Sequence, residues 1–158
     1  MDDVAVARAI HVASVVVWIG GVAFVTTVLL PAVRGIGRAE DRLDFFDSIE
    51  RRFAGQARLT VLLAGLSGLF MLVRLDLWDR FRFAMFWWMH AMVFVWLLFA
   101  LMLFVAEPLF LHRYFHARAR AAPEPTFRLV ERLHRFLLAL SVLTVLGAVA
   151  GSHGFLPF

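Results

Sequence analysis

Four long apolar segments, separated by charged connections, constrain what this chain can fold into. They run roughly over Val4–Val33, Leu59–Val73, Phe83–Phe110 and Leu133–Phe155. A helix needs about 20 mainly apolar residues to cross the hydrocarbon core of a bilayer. Hydrophobic residues make up 62% of the 158 residues, well above the ~45–50% typical of soluble domains. The sequence therefore predicts an all-α membrane protein, with residues 1–158 forming a single transmembrane four-helix domain.

The second apolar segment is too short to cross a bilayer by itself. It is preceded by Leu43, Phe46, Ile49 and Phe53, which recur at near-helical spacing. This pattern is typical of an amphipathic helix that rises out of the membrane interface. We expect this stretch to complete the second span, and the four spans to form an up-down-up-down bundle with a short outer loop, Arg74–Arg82, and longer inner loops.

The arginines predict the orientation of this bundle. All 16 basic residues are Arg, and the net charge is only +4, which does not favour a nucleic-acid partner. Four of these arginines lie on the side of the membrane where the chain begins: Arg8, Arg74, Arg80 and Arg82. The other twelve follow the first and third spans. Cytoplasmic loops carry the excess of positive charge. We therefore expect a multi-pass protein of a bacterial inner (cytoplasmic) membrane, in contact with lipid, with both termini periplasmic.

Composition also limits the chemistry that the chain can support. It contains no Cys, which excludes disulfides, iron–sulfur clusters, thiolate metal sites and covalent haem attachment. Gly-rich phosphate loops, Ser/His/Asp arrangements and the HExxH motif are also absent. Any haem would be held non-covalently by His or Met. Whether the protein is an enzyme is left open.

Two of the six histidines, His11 and His90, stand inside the first and third apolar segments at similar distances from the outer ends. An ionisable group inside hydrocarbon is costly, which makes it a functional-site hypothesis. The first and third helices of a sequentially connected bundle are diagonal partners. Facing imidazoles there could hold a haem iron. The alternative is that each histidine bonds a neighbouring carbonyl or serine, with Ser14 and Ser67 as candidates.

Several neighbours fit a haem site. Trp18 follows the first histidine by seven residues and shares its helix face. Arg8, Arg74 and Arg82 could pair with haem propionates, or could simply reach the lipid headgroups. His153 could serve as a propionate partner, a further ligand or a wet interfacial group. The remaining histidines, His112, His116 and His134, lie among arginines and are interpreted as a solvated interfacial face.

The methionines of the third segment suggest a copper site as an alternative to a haem site. Met85, Met89 and Met92 recur at helical spacing around His90. Thioether sulfur together with imidazole suits Cu(I), whereas Met in an apolar helix is more often core. Gly147 and Gly151 form a GxxxG spacing that serves either helix contact or a homodimer. Copper and a homodimer are therefore kept as alternatives.

Two stretches resemble the CopD/HemJ group of integral membrane proteins. His11-Val-Ala-Ser-Val-Val-Val-Trp18-Ile-Gly-Gly21-Val-Ala-Phe24 resembles the H-x6-W-x-G-G-x-x-F pattern of CopD-like proteins. Trp88-Met-His90-Ala-Met92 is similar to the W-L-H-x-K stretch of HemJ, the membrane protoporphyrinogen oxidase. The resemblance implies haem b or porphyrin on the HemJ side and copper handling on the CopD side.

The chain also departs from the HemJ pattern. The HemJ lysine falls on Met92, and an aromatic-Leu-Pro-Arg stretch is replaced by Phe24-Val-Thr-Thr. Both departures count against porphyrinogen oxidation. We therefore expect a membrane b-type cytochrome that binds haem between helices one and three for electron transfer, with a quinone or a periplasmic redox partner. The alternatives are a CopD-like copper module and a HemJ-like oxidase.

Overall fold

A computed structural model describes residues 2–155, apart from the side chains of residues 2, 39, 40 and 112. All elements in this part of the chain are helical. They are α1 (Asp2–Phe24), a first π-helical segment (Val25–Leu29), α2 (Leu30–Arg34), α3 (Ala39–Arg74), two 3-10 turns (Trp78–Arg82 and Ala84–Phe86), α4 (Trp87–Leu101), a second π-helical segment (Met102–Leu111), α5 (His112–Ala121) and α6 (Pro123–Ser152).

Four continuous helical rods are long and apolar enough to cross a membrane. They are Asp3–Arg34, Asp41–Arg74, Ala84–Leu111 and Pro123–Ser152, called spans one to four below. Their outward side chains are apolar, as Val16 (65% exposed) and Leu143 (62% exposed) illustrate. Such side chains match a lipid environment rather than water. The predicted all-α four-helix fold and the multi-pass membrane class are confirmed.

The four spans form a closed ring in which each packs against its neighbours in sequence. α1 packs on α3, α3 on α4, α4 on α6, and α6 on α1. Spans one and three are therefore diagonal, as predicted, and they meet at the centre, where Trp18 and Phe99 stack edge-on at 4.9 Å. We call the end that holds residue 3 the outer end, and the end that holds the connection 35–38 the inner end.

The hydrophobic core lies in the middle and at the inner end of the bundle. The central cluster is made of Trp18, Val22, Val61, Ala64, Val95, Phe99 and Leu137. The inner cluster is made of Val25, Leu29, Leu30, Val33, Leu43, Phe46, Ala119 and Phe127. Leu43 and Phe46 belong to the predicted amphipathic stretch, which is the first part of the single helix α3. This helix packs at the inner end and then enters the span.

Span four begins at Pro123, earlier than the Leu133 expected from hydropathy. Proline is well tolerated in the first turn, where its missing N–H would have no helical partner. The hydroxyl of Thr126 donates to the carbonyl of Ala122 at 2.7 Å and strengthens this start. The helix ends at Ser152, so Phe155 lies outside it.

Span three widens into the second π-helical segment at its inner half, where Pro108 stands. In a π-helix each N–H bonds the carbonyl five residues earlier. Proline has no N–H, so the carbonyl of Leu103 lacks that partner. Arg58 of span two supplies the donor instead, with Nε at 3.2 Å from the Leu103 oxygen. Its Nη2 also contacts Glu107 at 2.9 Å. One arginine thus satisfies both polar groups of the widened turn.

Candidate functional site

His11 lies on the packed face of span one, in line with the buried Ala7, Ser14 and Trp18. Its Nδ1 is 2.9 Å from the carbonyl oxygen of Ala64 and 3.3 Å from the hydroxyl of Ser67, both on span two. The ring also rests against Gly68, where an added Cβ would stand 3.2 Å from its Cε1. A carbonyl accepts only, so Nδ1 carries the proton and Nε2 presents its lone pair.

His90 faces away from the bundle and is exposed. Its Nε2 is 3.0 Å from the carbonyl oxygen of Phe81, and its Nδ1 is 3.4 Å from that of Phe86. The ring of Phe81 packs edge-on against it at 5.3 Å. The structure thus gives the two histidines separate partners, His11 on span two and His90 on the outer connection. Both make the carbonyl contacts that the non-cofactor alternative expects.

Of the other residues predicted around a haem, Trp18 lies in the central cluster, and the charged ones are dispersed over the outer end. Arg8 and His153 are exposed, and the latter contacts the carbonyl of Val149 through Nδ1 at 2.8 Å. Arg74 binds Asp3 at 2.6 Å and ties the two antiparallel spans together. Arg82 lies 3.6 Å from Asp79 within its own turn. These two arginines therefore already have acidic partners.

The three methionines of the copper alternative do not share one face with His90. Met89 is buried, Met85 and Met92 are half-buried, and His90 is exposed. Among the described residues, no group of three or more His, Asp or Glu side chains lies close enough to hold a metal ion. Copper binding through thioether sulfur stays a prediction.

Glycines of the outer half pack against tryptophan rings. A Cβ on Gly147 would come within 2.3 Å of the ring of Trp87, and one on Gly151 within 2.5 Å of the ring of Trp88. Gly65 is equally close to Trp96, whose Nε1–H donates to the carbonyl of Val61 at 2.8 Å. The GxxxG face of span four is therefore occupied by span three of the same chain. A homodimer would have to use a different face.

A second candidate site, which the sequence did not indicate, lies toward the inner end. It is a cavity of about 140 Å³ between all four spans. Both π-helical segments line it, through Val25 and Leu29 on one side and Met102 and Leu103 on the other. Such segments occur frequently at functional sites. We call this space the inner cavity.

Trp18 and His134 are two of the residues that line the inner cavity. Trp18 is only 4% exposed, and its Nε1–H has no hydrogen-bond acceptor in the described part of the chain. His134 lines the same cavity; its Nδ1 contacts the carbonyl of Val130 at 2.9 Å, and its Nε2 has no hydrogen-bond partner there. His134 is therefore packed inside the bundle, and its interpretation as a solvated interfacial group was wrong. His116 is likewise mostly buried and lies 3.2 Å from Asp47.

Charged groups surround the inner end in pairs. Glu131 has a side chain only 3% exposed and binds both Arg34 and Arg135. Glu107, which pairs with Arg58, and Glu50 also line the inner cavity. The arginines of these pairs, Arg34, Arg58 and Arg135, were expected from the sequence only to orient the protein in the membrane.

Comparisons with protein-family models, with curated proteins and with solved structures give no match to this chain. The fold and the two candidate sites therefore define a class only: a four-helix, multi-pass membrane protein. The resemblance to the CopD/HemJ group stays a prediction, and function has to be argued from the sites themselves.

Proposed function

We propose that the protein is a membrane b-type cytochrome in which His11 is an iron ligand near the outer end. The observation that carries this proposal is the contact between His11 Nδ1 and the Ala64 carbonyl at 2.9 Å. Metal-binding histidines commonly donate their second ring N–H to a backbone carbonyl, which fixes the tautomer and raises the basicity of the other nitrogen. The Nε2 atom of His11 is left in the form that ligates iron.

The residues of spans one and two fit this role better than those of span three. Gly68 leaves room for the His11 ring, and Ser67 gives Nδ1 a second polar neighbour. His90 is the proposed second ligand, but its Nε2 contacts the Phe81 carbonyl. Ligation by His90 would require that contact to be released, whereas ligation by His11 alone would not.

A bound haem would supply one-electron chemistry, and the chain would supply ligands, a dry environment and charges that tune the potential. Arg8 is exposed at the outer end, where it would be accessible to an acidic haem group. Arg74 and Arg82 would first have to exchange their contacts with Asp3 and Asp79. Electron transfer to a quinone or a periplasmic partner is part of the proposal. Copper binding by Met85, Met89 and Met92 remains the alternative.

The test is the absorption spectrum of the purified protein after expression with added haem. We expect a Soret band in the wild type, its loss in His11→Ala, and its partial return when free imidazole is added to His11→Ala. A helix contact alone would not be restored by imidazole. His116→Gln, at the inner end, is the control and should keep the band.

The His90→Ala spectrum separates the two ligation modes. If His90 ligates iron, the variant loses the band or shifts it toward a five-coordinate form. If His11 is the only histidine ligand, the spectrum is unchanged. A wild-type protein without a Soret band, despite haem supplementation and a normal helical circular-dichroism spectrum, would refute the proposed function.

A further inference from the structure

A buried carboxylate at the inner end holds two arginines that come from different spans. The side chain of Glu131 in span four is only 3% exposed, and it pairs with Nη2 of Arg34 in span one and with Nη2 of Arg135 in its own helix. The two arginine side chains are 42% and 66% exposed, respectively. Two positive charges thus share one negative charge, and this triad keeps a net positive charge where spans one and four meet.

The triad retains hydrogen-bond donors for a further anion. A guanidinium has five N–H donors and no acceptor, and the contact with Glu131 uses only Nη2 of each arginine. The shared carboxylate holds both side chains in place, so they lose less freedom when an anion binds. The planar fork of an arginine matches the oxygens of a phosphate group. The exposed side of the triad therefore suits a phosphate or a phosphodiester.

The depth of the triad favours the phosphate of a membrane lipid. Residues 9–33 and 136–152 contain no Asp, Glu or Arg, so Arg34 and Arg135 stand at the inner ends of two uncharged stretches. The headgroup region of a bilayer begins where its hydrocarbon core ends. Val142 and Leu146 follow Arg135 at helical spacing and are 42% and 60% exposed. A lipid whose phosphate lies on the triad would have apolar side chains beside its acyl chains.

Further arginines extend the positive surface along span four. Arg128 and Arg132 are exposed and lie on the same helix face as Arg135, at spacings of four and three residues. Glu124 lies one turn before Arg128 and pairs with Arg42 of α3. Basic pockets between transmembrane helices bind acidic lipid headgroups. The charge of this face therefore favours an anionic lipid over a zwitterionic one.

We propose that Arg34 and Arg135, held by Glu131, bind the phosphodiester of an anionic phospholipid between spans one and four. The phosphate oxygens accept hydrogen bonds from the two guanidinium groups, and an acyl chain lies along Val142 and Leu146. The site is at the inner end and does not depend on a haem at His11.

Native mass spectrometry of the wild-type protein in an uncharged detergent tests this proposal. The protein is titrated with phosphatidylglycerol and, separately, with phosphatidylcholine of the same acyl chains. We expect the first phosphatidylglycerol to bind about five- to twentyfold more tightly than phosphatidylcholine, and this preference to shrink as salt is raised. Dimethyl phosphate, a phosphodiester of the same charge without acyl chains, should not displace the bound lipid at equal concentration.

Two variants and one control assign the lipid preference to the triad. Arg34→Gln and Arg135→Gln each leave Glu131 with one arginine, and each should weaken phosphatidylglycerol binding about fivefold with little change for phosphatidylcholine. Arg113→Gln removes the same charge from another exposed arginine of the inner end, which follows span three. Because charges away from the site are screened, this control should change the affinity by less than about twofold.

Equal binding of the two lipids by the wild type would overturn the proposal, and this result requires no variant to fold. Displacement of the lipid by dimethyl phosphate would contradict the assignment to a lipid. An equal loss of affinity in Arg113→Gln and in the triad variants would also overturn the proposal, since the preference would then come from overall charge. All of these results are independent of the Soret band.

Discussion

Polar side chains have different kinds of partner in the outer and inner halves of the bundle. In the outer half, His11 and His90 contact backbone carbonyls, and glycines of spans two and four hold tryptophan rings. In the inner half, the helices widen into π-helical turns, a cavity opens, and charged side chains pair across spans. The comparison separates an outer half, whose candidate ligand is a histidine, from an inner half that contains the cavity and the ion pairs between spans.

The contrast shows that the position of a histidine in the sequence does not disclose what its ring contacts. His11 and His90 look equivalent along the chain, but the structure directs one to a neighbouring span and the other to an exposed connection. His134 looks interfacial along the chain but lines the inner cavity. The contacts of each ring, rather than its depth, distinguish these three residues.

The largest loss in the free energy of unfolding is expected from a substitution in the outer half, at Gly65. Gly65→Ala would place a Cβ within 2.5 Å of the Trp96 ring, which is held by its bond to Val61. Overpacking together with loss of that hydrogen bond should lower the free energy of unfolding by about 2–4 kcal/mol. Reversible unfolding in mixed detergent micelles measures this change. Gly20→Ala is the control, because nothing lies within 4 Å of its added Cβ.

In the inner half, Glu131→Gln should cause the next largest loss in the free energy of unfolding. The buried carboxylate forms ion pairs with Arg34 and Arg135 and accepts a hydrogen bond from Arg135, and a hydrogen bond to a charged group contributes about 1.5–3 kcal/mol. Because both arginines are partly exposed, we expect a total loss of about 1.5–3 kcal/mol in the same unfolding assay. An unchanged stability would show that the inner charge pairs do not hold the spans together.

Arg58 tests the explanation of the widened turn. Arg58→Ala removes the donor to the Leu103 carbonyl and should destabilise the fold by about 1–3 kcal/mol. Pro108→Ala restores a backbone N–H, so Arg58→Ala should cost less in that background. A double-mutant cycle measures the difference. Strictly additive effects would contradict the assignment of Arg58 as the substitute donor.

The smallest effect is expected at the outer surface. Asp3→Asn breaks the contact with Arg74, but both side chains are substantially exposed, and exposed ion pairs contribute little to stability. We expect no measurable change in the unfolding free energy and no dependence of this result on salt. A clear loss would indicate that the outer half also relies on charge.

Much of the fold could be predicted because hydropathy and helical spacing act within single segments. The four spans, the continuation of Leu43 and Phe46 into span two, and the shared face of His11 and Trp18 all follow from local pattern. The start of span four at Pro123 was missed, because Arg128, Glu131 and Arg132 interrupt the apolar pattern in the turns before Leu133. Their helical start depends on Pro123 in the first turn and on Thr126.

The inner cavity could not be predicted, since it depends on contacts among all four spans. Nothing in the sequence indicates that Trp18 lacks an acceptor while Trp96 has one, or that Arg58 compensates for Pro108. The proline inside an apolar run, five residues after Leu103, was the one local signal that could have pointed to an irregular inner half.

The absorption spectrum of haem-supplemented protein tests the central claim, that the Nε2 atom of His11 is an iron ligand, most directly. We expect a Soret band in the wild type and in Ser67→Ala, which keeps the Ala64 carbonyl contact, and none in His11→Ala without imidazole. A band of equal intensity and position in His11→Ala, or no band in the wild type, would contradict it.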